Sequence, residues 1–250
     1  PAEGGDLSEE LLEKKLAEID AEEETEKSEG AERLLTLSVD GVEVKAKRII
    51  KDFPKFEYFY ITSSGAFSLD ELRIGKTYAS VTGDPLSNDP NIIFSDSFDY
   101  LEGEKLINQD GWFTEGLPRN MSSSAKSFNI QKGSLISGGK KSAGNRLSTE
   151  STETISGIGI KIADKASFKN GENVYLSYLI RPEGIIGDGV YGGYFGVGLK
   201  PINQDGIFFG KPGDHEQYGI EKQGGPLFAA SGVEAEVNKT SFVVVKIESN

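Results

Sequence analysis

The chain has 250 residues, with 40 acidic against 27 basic for a net charge of −13. That balance lacks the basic footprint on which affinity for nucleic acid rests, and it disfavours an anionic membrane surface for the same reason. Cysteine is absent and His215 is the single histidine. This excludes disulfides, thiol nucleophiles, thiolate zinc sites, iron–sulfur clusters and any multi-histidine metal site within the chain, and a Ser-His-Asp triad would have to use that one imidazole.

The charge is concentrated at the start. Residues 1–30 carry twelve acids and three bases, or −9, which leaves −4 for the other 220. Within them Leu7, Leu11, Leu12, Leu16 and Ile19 recur at helical spacing, and Asp6 with Glu9 reads as a capping box. The spacing predicts one acidic helix over 7–27, a solvated element or a contact for a basic partner.

From residue 34 the period changes to two. Leu35, Leu37 and Val39, then Asp40-Gly41, then Val42, Val44 and Ala46 predict a hairpin with a type I′ turn. Strands are expected over 56–62 and 67–74. The stretch 83–91, polar and with two prolines, reads as a linker. Beyond it, short strands are expected over 92–98, 128–130, 155–162, 173–181, 193–199, 206–210, 217–222, 226–230 and 241–248. With 31 glycines, 14 Phe and 9 Tyr, this pattern predicts an all-β protein, an antiparallel β-sandwich of the jelly-roll kind. The longest apolar run, Phe242 to Val245, is far short of the ~20 residues that span a bilayer. No Met or signal peptide opens the chain, and a strand runs into its last residues, which suggests an excerpt of a longer protein.

Several motifs have a resemblance in common. Phe94-Ser95-Asp96-Ser97-Phe98-Asp99-Tyr100, Gly111-Trp112, Gly144-Asn145-Arg146-Leu147 and Tyr175 to Ile180 occur in that order. Gly193-Tyr194-Phe195-Gly196-Val197-Gly198, Phe208 to Pro212, Tyr218 to Glu221 and Phe242 to Ile247 follow. Segment 94–250 thereby resembles the front of a concanavalin A-like, LamG-type jelly-roll repeat of large secreted bacterial proteins. Phe67 to Gly75 resembles that family's closing strand, placed ahead of the opening one. The resemblance implies the tail of one repeat over 31–82, the linker 83–91, and the head of the next over 92–250, after the acidic segment 1–30. Half a sandwich leaves a core and a sheet edge exposed. The two parts are therefore expected to complete one permuted sandwich, with strand 67–74 pairing beside 92–98.

Each chemical motif has a bland reading beside the sharp one. Glu18-Ile19-Asp20-Ala21-Glu22 matches E-x-D-x-E of sandwich-fold glucanases, which need carboxylates about 5–5.5 Å apart. On a helix Asp20 points away from its neighbours, so the match reads as coincidence. Gly187 to Gly192 matches GxGxxG, but a strand follows it where a dinucleotide site needs a helix. Asp70, Asp96 and Asp99 are candidate calcium ligands, because the family often holds a structural calcium where first and last strands meet. The alternative for Asp70 is that it caps, or pairs with Arg73, at the surface. Trp112, Tyr191 and Tyr194 are candidate sugar-stacking residues, with a core role the competing reading for Trp112. His215 is expected in an exposed turn. Asn120-Met121-Ser122 and Asn238-Lys239-Thr240 have the form of glycosylation sequons.

The resulting expectation is a non-catalytic extracellular or cell-surface module that binds a carbohydrate or other surface ligand, or serves adhesion. The competing classes are a glycoside hydrolase or lyase of the same fold, and a purely structural spacer repeat.

Overall fold

The computed structural model describes residues 31–50, 56–84, 88–114, 128–138, 142–150, 155–162, 172–184, 193–201, 206–213, 215–222 and 225–249. The helix expected over 7–27, the Glu18-Asp20-Glu22 motif, the Gly187–Gly192 motif, Tyr191 and the first sequon lie outside them.

Ala31–Val39 (β1) and Val42–Ile50 (β2) form the expected hairpin. Its turn residues Asp40 and Gly41 have φ of +50° and +87°, the left-handed pair that a type I′ turn requires. Tyr58–Ser63 (β3) and Phe67–Gly75 (β4) follow, then Tyr78–Thr82 (α1) and Ile92–Asp96 (β5). After a 3-10 turn at Leu106–Asn108 come Trp112–Phe113 (β6), Phe128–Gln131 (β7), Arg146–Thr149 (β8), Ser156–Lys161 (β9) and Asn173–Pro182 (β10). Phe195–Lys200 (β11), Ile207–Lys211 (β12), Gln217–Lys222 (β13), Leu227–Glu234 (β14) and Ser241–Ser249 (β15) complete the order.

The strands build two antiparallel sheets. One has eight strands in the order β2-β1-β15-β10-β4-β8-β7, with β5 also on β4; the other has seven, β14-β13-β12-β11-β3-β9-β6. The described residues are thus an all-β sandwich, as the period of two predicts. Leu35, Leu37 and Val39 of β1, Val243, Val245 and Ile247 of β15, and Leu176, Tyr178 and Ile180 of β10 meet Phe59, Ile61, Phe195, Val197, Phe209 and Ile220 of the other layer in one core. Each such side chain contributes about 1.5–3 kcal/mol by leaving water. At one flank Arg48 of β2 crosses to β14, its guanidinium 4.5 Å from the Phe228 ring centroid and donating to the Phe228 carbonyl at 3.3 Å.

β4 pairs with β5, Leu72 opposite Asp96 and Ile74 opposite Phe94, the neighbours expected from the sequence. Strands from both sides of residues 83–91 share both sheets: β3 lies between β9 and β11, and β4 between β8 and β10. Arg33 stands opposite Ser249, so the first and last strands are neighbours.

Two local features depart from simple alternation. Between β4 and β10 the register shifts, so Glu71 and Leu72 oppose Tyr178 alone. Glu71 takes φ +51°. The bulge keeps Leu69 and Leu72 both in the core and turns two consecutive acids, Asp70 and Glu71, away from it. The second is α1, where no helix was expected. Thr77 accepts the Ser80 amide and Ser80 accepts the Thr77 amide, a reciprocal capping box that outweighs the strand preference of Tyr, Val and Thr.

Candidate functional site

Two of the expected site residues, Asp96 and Trp112, meet at one carboxylate. Asp96, in the last position of β5, accepts from the Phe98 amide at 2.7 Å, the Tyr100 hydroxyl at 2.7 Å and the Trp112 indole nitrogen at 3.1 Å. Trp112 is 5% exposed and packs edge-on to Phe59 and tilted to Phe98. It is part of the core, as its competing reading had it. Burial pushes the Asp96 carboxyl above its ordinary range, against the pull of the Tyr100, Phe98 and Trp112 donors. Asp99 is exposed and faces Gly144.

Asp70 is fully buried. Its Oδ1 accepts the Glu71 amide at 2.8 Å and its Oδ2 the Leu135 amide at 2.7 Å. Desolvation pushes its carboxyl up to about 8, opposed by those two amides. Arg73 pairs with Glu71, not Asp70, at 3.0 Å, and also donates to the Gly83 carbonyl at 3.0 Å. Glu71 Oε1 accepts the Ala143 amide at 2.8 Å. The two acids therefore fasten the backbone at Leu135 and at Ala143 to the sheet.

Calcium requires six to eight converging oxygens. Asp70 and Asp96 direct their oxygens at N–H and O–H donors instead, and among the described residues no three carboxylate or imidazole groups gather as a cation site.

Tyr194 lies on the outer face of the seven-stranded sheet, 6% exposed, stacked on Phe208 with centroids 4.5 Å apart. Its pKa is driven far up by burial and by nearby Tyr60 and Glu221. The rings lie close because the strands beneath them carry glycine: a Cβ at Gly198 would stand 2.1 Å from Tyr60 Cζ, and one at Gly210 2.8 Å from Phe208 Cζ. His215 is half-buried in the turn after β12, and Asn238 takes φ +63° in an exposed turn.

The outer face of the eight-stranded sheet is different in character. Phe128, Ile130 and Leu147 enter the core, so Asn129, Gln131, Arg146 and Ser148 face outward. Register places Asn129 beside Ser148, Ser148 beside Ser68, and Ser68 beside Arg181. Glu183 joins this polar row, accepting from Ser68 at 2.6 Å and from Arg181 at 2.6 Å. Arg146 is held by the Lys132 and Gly133 carbonyls, by Gln131 Oε1 at 2.9 Å and by Ser68 Oγ at 3.3 Å. At the β7–β8 end the row opens into a cleft of about 530 Å³ lined by Glu102, Asn129, Gln131, Lys132, Arg146 and Glu150.

Further along this face Tyr78, 56% exposed, meets Tyr175 edge-on at 6.3 Å. None of these cleft and tyrosine residues was singled out individually as a ligand contact from the sequence. The alternation Asn129-Ile130-Gln131 carried the signal for an outward polar pair, but not for its meeting Glu102 and Glu150.

Comparison with protein-family models, with curated proteins and with solved structures gave no match.

Proposed function

We propose that the chain is a non-catalytic extracellular or cell-surface module that binds glycans, built on a concanavalin A-like jelly roll of the LamG type and serving adhesion. The observation that supports this reading is the polar cleft on the eight-stranded sheet. Amides, carboxylates, a lysine and a braced guanidinium line it, a donor and acceptor set suited to a hydroxyl-rich ligand. Braced groups lose little entropy on binding, so hydrogen bonds made there keep more of their worth.

The test is a glycan array spanning neutral and acidic sugars at millimolar calcium, run with the wild type and with an Asn129→Ala, Gln131→Ala double variant. Binding by the wild type that the variant loses is the expected result. A blank array would leave the spacer reading standing in its place.

Two carboxylates on one cleft, Glu102 and Glu150, favour a second reading, a glycoside hydrolase. Release of reducing ends from a polysaccharide panel, lost in Glu102→Gln or Glu150→Gln, would move the assignment from binding to catalysis.

A further inference from the structure

Gln131 and Arg146 stand directly opposite each other where β7 meets β8, and both line the cleft. Nη2 of the guanidinium lies 2.9 Å from the Gln131 amide. A guanidinium only donates, so the atom that it faces is the amide oxygen Oε1. The orientation of Gln131 is thereby fixed. Its oxygen is turned to Arg146, and its NH2 group, which has no acceptor among the described residues, is left for the cleft.

Arg146 is itself held from behind. Nη1 donates to the Lys132 and Gly133 carbonyls, and Nε to Ser68 Oγ at 3.3 Å. Ser68 is buried and gives its own proton to Glu183 Oε1 at 2.6 Å, so it meets Arg146 as an acceptor. Of the five N–H groups of a guanidinium, a single one on Nη2 remains. Clasping a carboxylate or sulfate side-on takes two parallel N–H bonds from one fork, and Arg146 does not have them to give. The other charges lining the cleft are Lys132 against Glu102 and Glu150, a set that does not attract an anion.

We infer that Arg146 is a positioning residue, which aims the Gln131 amide N–H groups at the ligand, and that the cleft consequently takes neutral sugars in preference to uronic or sulfated ones. The hydroxyl and ring oxygens of a neutral sugar accept from that fixed NH2 group. This rests on the glycan-binding reading above and adds to it the charge class of the ligand and the residue that orients the contact.

The experiment is calorimetric titration with hexasaccharides of cellulose, β-1,3-glucan and chitin, which are neutral, and of polygalacturonate and alginate, which are anionic. A neutral hexasaccharide is expected to bind at least tenfold more tightly than either anionic one. Gln131→Glu keeps an oxygen for Arg146 but has no N–H, so it is expected to weaken the neutral ligand about tenfold at an unchanged thermal midpoint. Arg146→Lys keeps the charge and loses the fork. It is expected to weaken binding as much as Gln131→Ala does, and to add nothing in a Gln131→Ala background, because it acts through that one side chain. Wild-type affinity in Gln131→Glu, an Arg146→Lys effect of equal size in both backgrounds, or a preference for the anionic oligomers overturns this inference while leaving glycan binding in place. Absence of binding to every oligomer and to the parent polymers overturns the glycan reading itself, and the inference with it.

Discussion

Trp112 donates its indole N–H to the Asp96 carboxylate across 3.1 Å, so a residue expected to stack on sugar and one expected to ligate calcium are instead each other's partners. The same carboxylate takes the Tyr100 hydroxyl and the Phe98 amide, and Phe98 is buried at φ +53°. Asp96 thus pins a left-handed core residue and the β6 strand to the end of β5. Asp96→Ala strands three donors, each costing ~1–3 kcal/mol when left unsatisfied in the interior. A loss of about 3 kcal/mol or more in urea unfolding is expected, and a smaller one for Asp96→Asn. Because Trp112 is the only tryptophan, its emission should shift to the red in Asp96→Ala. Unchanged emission and a midpoint equal to wild type would show that the contact carries no stability.

How far the sequence led is clear from two stretches. In Phe67-Ser68-Leu69-Asp70-Glu71-Leu72-Arg73-Ile74 the apolar positions step by two, then three, then two, which is the written form of the bulge at Glu71. The strand was present in the letters, while its neighbour followed from the resemblance to a jelly-roll repeat. The role of Asp70 was not legible there, because its partner amide belongs to Leu135, 65 residues away. The cleft was hidden for the same reason: Glu102, Asn129 and Arg146 come together only through pairing of β7 with β8 and with the Gly103 backbone. Local period reports which face a side chain takes, and long-range register decides what it meets there.

Gly198 provides a test of the aromatic layer on the seven-stranded sheet. Tyr60 lies over it and donates to the Ile207 carbonyl at 3.3 Å, and any Cβ there meets both the ring and that same carbonyl oxygen, at 2.1 and 2.5 Å. Backbone cannot retreat, so Gly198→Ala is expected to cost about 1–3 kcal/mol of stability, the range for forced overpacking. Gly41→Ala serves as a contrast. Its Cβ meets nothing within 4 Å, and its cost arises only from the positive φ of the turn. A tolerated Gly198→Ala, with melting as in the wild type, would mean that the Tyr60 ring is free to leave this position.

Calcium separates the family expectation from the observed donor set. Asp70 and Asp96 already accept backbone and side-chain donors, so a cation there would share their oxygens with those hydrogen bonds. Any ligand that binds only the folded state raises its stability by mass action. The thermal midpoint is therefore expected to be the same in millimolar calcium and in chelator. A rise of several degrees with calcium, abolished by Asp99→Ala, would place the ion at the β5 end.

The buried carboxyl of Asp70 gives stability a sign of pH dependence opposite to that of a paired surface acid. Its folded pKa is raised by desolvation from 3.8 to about 8. Across that interval the native state holds a proton that the unfolded chain has released. Stability from this group is therefore fully present below the unfolded value, declines as pH rises, and is lost once pH passes the folded value. The slope is roughly 1.4 kcal/mol per pH unit within the window. Asp96 is shifted in the same direction and adds to the trend. Asp70→Asn removes one titrating group and one acceptor, since its amide nitrogen cannot receive the Leu135 amide. The variant is expected to be less stable than wild type in acid but to lose less stability on moving to alkaline pH. Urea unfolding of both proteins from about pH 4 to pH 9 measures this. Parallel curves, with a constant gap between them, would show that Asp70 is ionised throughout and that its two amide donors outweigh its burial.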